Sequence, residues 1–369
     1  MSDYELLGEK ASNCDNITME TLQSLEYTPV ESFTCGVIMP ILLVIGIVDN
    51  IAFMWVVARL PAMRTPTNCY LVNLAVADVL FLVFAMGEKV WIYIQSPYQS
   101  DAIIFGEILG CVIFPLLSDI SYFASLCFVT LVSFERYIAV CRPQSRNYFQ
   151  RRLFISLMCI GSWAISTILS ATLIPGNARY DFYCFNLPDE ASNETYPEQF
   201  AMCNAIKEGW RIYGNGLQTL PFFLTLLLNI VLYVMIVRGL NQSIKRLRGH
   251  QGGKKDQDTR IRDQIARMLI LNGVVFFVCL APFELSSLIA MFGGQLDVHW
   301  VTNSGRVLSY LNSVVNPIIF TTMSQRYREA FKMAFLPHWC YKIDDECSTT
   351  NGPPPSTSNT YIRMTKAKA

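Results

Sequence analysis

Seven long apolar segments, separated by polar stretches, follow one another along most of the chain. Each is close to the roughly 20 residues that an α-helix needs to cross the hydrocarbon core of a bilayer. The pattern predicts an all-α membrane protein with a seven-transmembrane helix bundle over residues 34–323. The expected spans are Thr34–Leu60, Asn68–Ile94, Glu107–Val140, Leu153–Ile174, Ile212–Val237, Gln264–Phe292 and Val298–Met323.

The segments outside the bundle are polar. Residues 1–33 form an acidic N-terminal tail that is expected to be extracellular. In residues 324–337, aromatic side chains recur at a spacing of four with basic residues between them, which predicts a short amphipathic eighth helix at the membrane interface. Residues 338–369 are rich in Ser, Thr and Pro and predict a disordered cytoplasmic tail. Cys340, at its start, is a candidate for palmitoylation.

Composition supports a membrane protein, since 52% of the residues are hydrophobic and only 16% are charged. A soluble domain carries about 25% charged residues. Membrane lipid is therefore the expected surrounding, and no nucleic-acid partner is expected.

Two independent signals predict the orientation. The glycosylation sequons at Asn16 and Asn193 function only on the lumenal side. Basic residues cluster in the segments on the opposite side, as the positive-inside rule requires of cytoplasmic loops. Both signals place the N-terminus outside and the C-terminus inside a multi-pass plasma-membrane protein. The basic residues are Arg59 and Arg64, then Arg142, Arg146, Arg151 and Arg152, then Arg238, Lys245, Arg246, Arg248, Lys254, Lys255, Arg260 and Arg262, and finally Arg326, Arg328 and Lys332.

Several polar residues lie inside the apolar spans. Asp78 is in the middle of the second span, where a carboxylate requires a cation or polar partners. Carboxylate, amide and hydroxyl oxygens suit a small hard cation such as sodium. The alternative is a hydrogen-bonded polar core without an ion, which spacing alone favours. The candidate partners at similar depth are Asn50, Ser125, Asn312, Ser313 and Asn316.

The inner end of the third span carries the adjacent pair Glu135–Arg136. It is either an ordinary interfacial ion pair, with Arg136 reaching the headgroups, or part of a switch. Prolines inside three spans provide what a switch needs, because kinked helices around a polar core allow two packings. The alternative is static kinks, which are common in membrane helices. These prolines are Pro221, Pro282 and Pro317.

Five ionisable residues fall in the outer half of the bundle and predict a cavity for a polar ligand. The alternative is that they pair with one another, for example Arg306 with Glu284 or Asp119. The five are Glu88, Lys89, Asp119, Glu284 and Arg306.

Cysteines at the outer side predict at least one disulfide. Cys111 begins the third span, and both Cys184 and Cys203 lie in the loop between the fourth and fifth spans. We expect the Cys111–Cys203 bridge because Cys203 lies close before the fifth span, with Cys111–Cys184 as the alternative. Cys14, Cys35 and the remaining loop cysteine then allow one second bridge and leave one thiol free.

The chain resembles a rhodopsin-like (class A) G-protein-coupled receptor from Thr34 to about Phe335. Within the class it is similar to the thyrotropin-releasing-hormone receptors in Met63–Val72, Tyr310–Ser313 and Met323–Arg326, and more loosely to the neuromedin U and FMRFamide receptors. The class motifs are Asn50, Leu74-Ala75-Val76-Ala77-Asp78, Cys111, Glu135-Arg136-Tyr137, Trp163, Pro221, Phe276 with Cys279 and Pro282, and Asn316-Pro317-Ile-Ile-Phe320.

The resemblance implies roles for particular residues. Arg136 would hold Glu135 at rest and meet the G protein when active. Arg306, with Tyr310 one turn further in, would contact the ligand. The sodium pocket would comprise Asp78, Ser125, Asn312, Ser313 and Asn316, which favours the ion over the plain polar core. The switch would also include Tyr137, Phe276, Pro282, Asn316, Pro317 and Phe320.

The chain departs from the class in places. Leu280, Phe320 and Asn229 stand where the class has Trp, Tyr and Tyr, and all three belong to its activation relay. Ser118 stands at the aspartate position of the amine receptors, which disfavours an amine ligand. The seventh span has no lysine for a retinal Schiff base.

The resemblance implies a receptor for an extracellular neuropeptide, with C-terminally amidated peptides included, rather than an enzyme. Its expected partners are a heterotrimeric G protein, first of the Gq class, and arrestin and receptor kinases acting on the phosphorylatable tail. A sodium ion is the one bound group expected. The alternatives are a transporter or channel, a membrane hydrolase, or a receptor for a small molecule.

Overall fold

The computed structural model describes residues 14–145, 149, 151–187, 196–248, 254–291 and 298–335. The sequon at Asn193, the candidate lipid site Cys340 and the tail over 338–369 lie outside the described residues.

Within the described residues, seven long helices follow one another as predicted, and six of them are long and apolar enough to cross a membrane. The seventh carries the polar residues Asn312, Ser313 and Asn316 within its length. The first three spans each include a π-helical turn, at Thr34–Ile38, Leu82–Met86 and Leu109–Ile113. The spans are Pro29–Arg59, Pro66–Gln95, Gly106–Cys141, Arg152–Ala171, Glu208–Arg248, Lys254–Met291 and Val298–Met323.

Local capping explains where several helices begin. The first span starts at Pro29, before the predicted Thr34, because Thr28 and Glu31 form a reciprocal capping box. Thr65 accepts a hydrogen bond from the Asn68 backbone and starts the second span at Pro66. The tail helix, Gln325–Phe335, follows the seventh span after one residue. Shorter elements are a helix at Met19–Leu25 and 3₁₀ turns at Pro61–Met63, Ala102–Ile104, Pro143–Ser145 and Ile174–Gly176.

The three span prolines lie inside continuous helices rather than at breaks. Thr225 donates a hydrogen bond of 2.8 Å to the carbonyl of Pro221, and Thr321 donates one of 3.0 Å to that of Pro317. Proline cannot donate a hydrogen bond to the carbonyl four residues earlier. The threonine hydroxyls bond a different group, the carbonyl of the proline itself.

The third span lies at the centre of the bundle and packs against the second, fourth, fifth and sixth. The seventh packs against the first, second and sixth. The main core follows the third span and includes Phe123, Phe128, Phe222 and Phe276. Large apolar side chains such as Ile160 and Leu224 are exposed on the outer surface, as expected of a lipid-facing surface.

A small folded unit covers one end of the bundle, here called the hairpin end. The antiparallel strands β2 (Arg179–Asn186) and β3 (Gln199–Asn204) form a hairpin, and β1 (Asp15–Asn16) pairs parallel to β2. A separate apolar core joins the N-terminal segment to the hairpin and to the loop after the second span. Its buried residues are Ile17, Leu22, Leu25, Tyr98, Phe185 and Phe200.

Among the described residues, two disulfides link the segments at the hairpin end covalently. The predicted Cys111–Cys203 bridge is confirmed and ties the hairpin to the third span. The second bridge joins Cys14 to Cys184, so that the N-terminal segment is bound to the hairpin. Of the three cysteines predicted to share a second bridge, Cys35 stays a free thiol. It is buried near the start of the first span. The alternative Cys111–Cys184 bridge does not form.

Candidate functional site

A polar core lies where the first, second and seventh spans meet. Asn316 donates a hydrogen bond of 2.6 Å to Asp78 Oδ2, and Ser313 lies beside the same carboxylate. Asn50 donates to the carbonyls of Ser313 and Gly46, at 2.8 Å each. The side chains predicted for an ion pocket on the second and seventh spans are therefore brought together.

Several oxygens of this core have no hydrogen-bond donor among the residues that the structure describes. They are Asp78 Oδ1, Asn50 Oδ1, Asn312 Oδ1 and, next to Asn50, Asp49 Oδ2. Buried acceptors are normally paired, so an excess of acceptors indicates a cation or water. Carboxylate and amide oxygens fit a small hard cation such as sodium. Ser125, the predicted pocket residue on the third span, donates its hydroxyl hydrogen to the Ser121 carbonyl of its own helix at 3.0 Å.

The sequence interpretation missed Asp49. It lies next to Asn50 in the first span, accepts a 3.3 Å hydrogen bond from that amide, and is close enough to Asp78 for their charges to repel. A carboxylate in the middle of an apolar run is a sufficient signal to find it. The core thus has two acidic residues rather than one.

The opposite end of the bundle, near the tail helix, contains a closed ion pair. Arg136 Nε donates 2.6 Å to Glu135 Oε2, and both residues are buried. Thr67 of the second span donates 2.9 Å to the same carboxylate oxygen and accepts from the Arg136 guanidinium. The pair is therefore tied to a neighbouring helix, which the sequence alone did not indicate.

The other predicted switch residues pack around this end and up the core. Phe320 is buried with its ring 5.5 Å from Phe53 and 5.8 Å from Tyr327 of the tail helix. Tyr137 is half-buried against the fifth and sixth spans. Phe276 lies fully buried one to two turns before Pro282, in the sixth span. Of the departures, Asn229 bonds Thr130 at 2.9 Å, and Leu280 is buried in the main core.

At the hairpin end, the five ionisable residues form two groups rather than one. The first, on the second and seventh spans, comprises Glu88, Lys89 and Arg306, whose charges act on one another. Tyr310 lies beneath them, and its hydroxyl donates 3.3 Å to the Ala85 carbonyl. Within the described part of the chain, Arg306 forms no ion pair with Glu284 or Asp119, so the alternative pairing does not occur.

The second group joins the third, fifth and sixth spans. Tyr122 donates a hydrogen bond of 2.7 Å to Glu284 Oε1, and Thr219 of the fifth span lies beside that carboxylate. Glu284 is fully buried. Asp119 lies one turn further out on the third span and acts electrostatically on Tyr122. The Tyr122–Glu284 contact across two spans was not predictable from sequence spacing.

Comparison with known proteins agrees with this arrangement. A family model of the seven-transmembrane receptors of the rhodopsin family matches residues 49–320. The human neuromedin-U receptor 2 is 29% identical over 336 residues, which cover 86% of this chain and 75% of that receptor. The thyrotropin-releasing hormone receptor of Ovis aries is 29% identical over 314 residues, 78% of this chain and 74% of the relative. The neuromedin U receptor homolog of Caenorhabditis elegans is 24% identical over 330 residues, 82% and 81% respectively.

These proteins are receptors, not transporters, channels or hydrolases. The match covers the polar core, the Glu135–Arg136 pair and both charged groups at the hairpin end. The chain belongs to the rhodopsin family of seven-transmembrane, G-protein-coupled receptors.

Proposed function

We propose that this protein is a plasma-membrane receptor that binds an extracellular peptide at the hairpin end and activates a heterotrimeric G protein at the other. The observation that carries the proposal is the separation of two polar assemblies. Charged groups lie at the hairpin end, a closed Glu135–Arg136–Thr67 cluster lies at the far end, and the core around Asp78 lies between them. Such an arrangement couples a ligand at one end to a contact surface at the other.

The hairpin end is assigned to the outside. It carries Asn16, whose side chain is exposed in β1 and available for glycosylation, and both disulfides, which form in an oxidising compartment. The tail helix then faces the cytoplasm. Cys340 is proposed as a lipid attachment site, and the hydroxyl-rich tail is proposed to recruit receptor kinases and arrestin.

A peptide is supported by the similarity to receptors named for neuromedin U and thyrotropin-releasing hormone. The two charged groups suit a ligand with polar features at separate points. Asp119 and Glu284 would accept a cationic group or amide N–H groups, whereas Arg306, with Glu88 and Tyr310, would bind carbonyl oxygens or a terminal amide. Amidated neuropeptides are therefore the first candidates.

A ligand that contacts both groups links the third and sixth spans to the second and seventh. Moving a receptor from mostly off to mostly on requires about 5 kcal/mol of differential affinity. A hydrogen bond to a charged group contributes about 1.5–3 kcal/mol, so a few such contacts suffice. The inner ends of the fifth and sixth spans would then swing outward and release Arg136 to the G protein, for which the Gq class is the first candidate.

The test is a panel of amidated neuropeptides applied to cells that express the full chain, with nucleotide exchange measured separately on each Gα class. We expect a response that Arg136→Ala abolishes at equal surface expression. Arg211→Ala is the matched control, because Arg211 forms an exposed pair with Glu208 and such pairs contribute little. A peptide response that survives Arg136→Ala would contradict the mechanism.

A further inference from the structure

The side chain of Tyr233 links three spans near the Glu135–Arg136 end. It belongs to the fifth span, and a hydrogen bond of 3.1 Å joins its hydroxyl to that of Ser133 on the third. Its ring packs with a small apolar cluster that includes Val140, Ile236 and Ala266 from the third, fifth and sixth spans.

The ring of Tyr233 occupies a notch in the sixth span that a glycine creates. A Cβ atom added at Gly273 would lie 2.6 Å from Tyr233 Cζ and 3.3 Å from Cε2, and closer still to the hydroxyl oxygen. Real Cβ atoms do not approach other atoms to less than about 3 Å without displacing them, because interiors are close-packed. Any other residue at position 273 would therefore push the ring out of its place.

Glycine has no conformational reason to be at this position. Gly273 lies inside a continuous helix and has no positive φ, and glycine weakens a helix interior relative to alanine. The absence of a side chain is thus explained by the ring that fills its place. Packing, rather than backbone geometry, accounts for the residue.

The position of this contact relates it to the switch. Ser133 precedes Arg136 by one helical turn on the same span, so the Tyr233 hydroxyl is anchored next to the ion-pair residue. In the proposed function, the inner ends of the fifth and sixth spans move away from the third in the opening step. Tyr233 contacts both neighbours involved, because its hydroxyl bonds Ser133 on the third span and its ring fills the Gly273 notch on the sixth. The notch cannot remain filled once the sixth span moves away.

We propose that Tyr233, seated in the Gly273 notch and bonded to Ser133, is a latch that holds the sixth span against the third and fifth and so keeps Arg136 in its closed position. This inference rests on the proposed function. Tyr233 is a positioning residue in this role, because it acts on Arg136 through the helices and does not contact a ligand. The same contact would be absent from the active arrangement.

The test measures ligand-independent nucleotide exchange on each Gα class, in membranes with equal amounts of surface receptor. Gly273→Ala is expected to raise this basal exchange about tenfold, because the added methyl destabilises only the resting arrangement. Tyr233→Ala removes the ring and is also expected to raise basal exchange. In the double variant, Gly273→Ala should add nothing to the effect of Tyr233→Ala, since the notch is then empty.

A matched control is available in the fourth span. A Cβ atom at Gly161 would meet no atom within 4 Å, so Gly161→Ala is expected to leave basal exchange unchanged. Equal increases from Gly273→Ala with and without the Tyr233 ring would overturn the latch, and so would no increase at normal surface expression. If Gly273→Ala alone does not reach the surface, recovery in the double variant supports the latch and failure of both overturns it.

Hydrogen exchange of the purified receptor separates this inference from the proposed function, because it requires no G protein. Gly273→Ala should speed amide exchange in residues 263–273, and in a Tyr233→Ala background the same change should add nothing further. If no Gα class responds to any variant, the proposed function fails. The amide-exchange data still show whether the Tyr233–Gly273 contact holds the sixth span. Unchanged amide exchange in Gly273→Ala would refute the latch even in a receptor that signals.

Discussion

The hydroxyl of Tyr327 donates a hydrogen bond of 2.5 Å to Asn68 Oδ1 and so joins the tail helix to the second span. Tyr327 is 3% exposed, and its ring packs in a tilted arrangement 5.8 Å from the ring of Phe320 and 6.2 Å from that of Phe53. Burial raises the pKa of this hydroxyl to about 12, so it keeps its proton and donates at neutral pH. Because Asn68 is adjacent to Thr67, the tail helix is fastened next to the ion-pair cluster.

Tyr327→Phe is predicted to loosen the tail helix without disturbing the aromatic packing. The change leaves Asn68 Oδ1 buried without its donor, which costs about 1–3 kcal/mol. The melting temperature of the purified receptor should fall by several degrees. Tyr213→Phe is the matched control, since the Tyr213 hydroxyl bonds Thr172 at an exposed position and its loss should change little. Equal melting temperatures of the two variants would show that the buried Tyr327 bond stabilises the receptor no more than the exposed Tyr213 bond.

Thr67→Ala is predicted to raise basal signalling. Thr67 is the bridge between the ion pair and the second span, so its removal leaves Glu135 and Arg136 bonded to each other but detached from that helix. A lost hydrogen bond to a charged group corresponds to about 1.5–3 kcal/mol, and even part of that favours the open state severalfold. The measurement is ligand-independent nucleotide exchange at equal surface expression.

Thr167→Ala provides the comparison for this variant. Thr167 is exposed on the fourth span, and among the described residues its hydroxyl bonds the Trp163 carbonyl of its own helix. It should leave basal exchange at the wild-type value. A basal rate that does not change in Thr67→Ala would argue that the second span does not restrain the pair.

The apolar pattern was sufficient to predict the spans but not every helix end. The seventh span has the predicted bounds, Val298–Met323, because polar residues delimit its apolar run. The fifth helix continues to Arg248 and the sixth begins at Lys254, beyond the apolar segments expected at Ile212–Val237 and Gln264–Phe292. Hydropathy ends where the chain leaves lipid, whereas a helix continues through polar residues that satisfy its backbone.

Contacts between distant segments were predictable only where a motif or a charge marked them. The Asp78–Asn316 contact was expected from depth, and Cys111–Cys203 from its place before the fifth span. Threonine and tyrosine are common in helices, so the sequence does not mark Thr67, Tyr122 and Tyr233. The importance of each depends on which helix lies opposite. That information is in the packing and not in local spacing.

The polar core is predicted to bind sodium through Asp78, with Asp49 as a secondary charge. A bound cation stabilises the folded state by RT ln(1 + [L]/Kd), so the receptor should melt at a higher temperature in sodium chloride than in choline chloride. Asp78→Asn should abolish the difference, because it removes the buried carboxylate that Asn316 holds. Asp49→Asn should reduce the difference without abolishing it, since its charge lies close to the site but does not contact Asn316.

The comparison between the two variants decides this prediction. Identical sodium dependence in wild type and Asp78→Asn would mean that the unpaired oxygens bind water rather than an ion. Identical dependence in wild type and Asp49→Asn would restrict the site to Asp78. Potassium chloride at equal ionic strength controls for general screening of surface charges.

The Cys14–Cys184 disulfide is predicted to hold the N-terminal segment on the hairpin. β1 is only two residues long and pairs with β2 at Phe185 and Asn186, which is too little to fix the segment alone. Replacing both cysteines by serine should speed amide exchange in Met19–Leu25, while β2 and β3 stay protected because Cys111–Cys203 still ties them to the third span. Removal of a disulfide typically destabilises by about 2–5 kcal/mol. Cys35→Ala, which breaks no bridge, is the control. Unchanged exchange in Met19–Leu25 would show that its apolar core with Tyr98 and Phe200 holds the segment without the covalent bond.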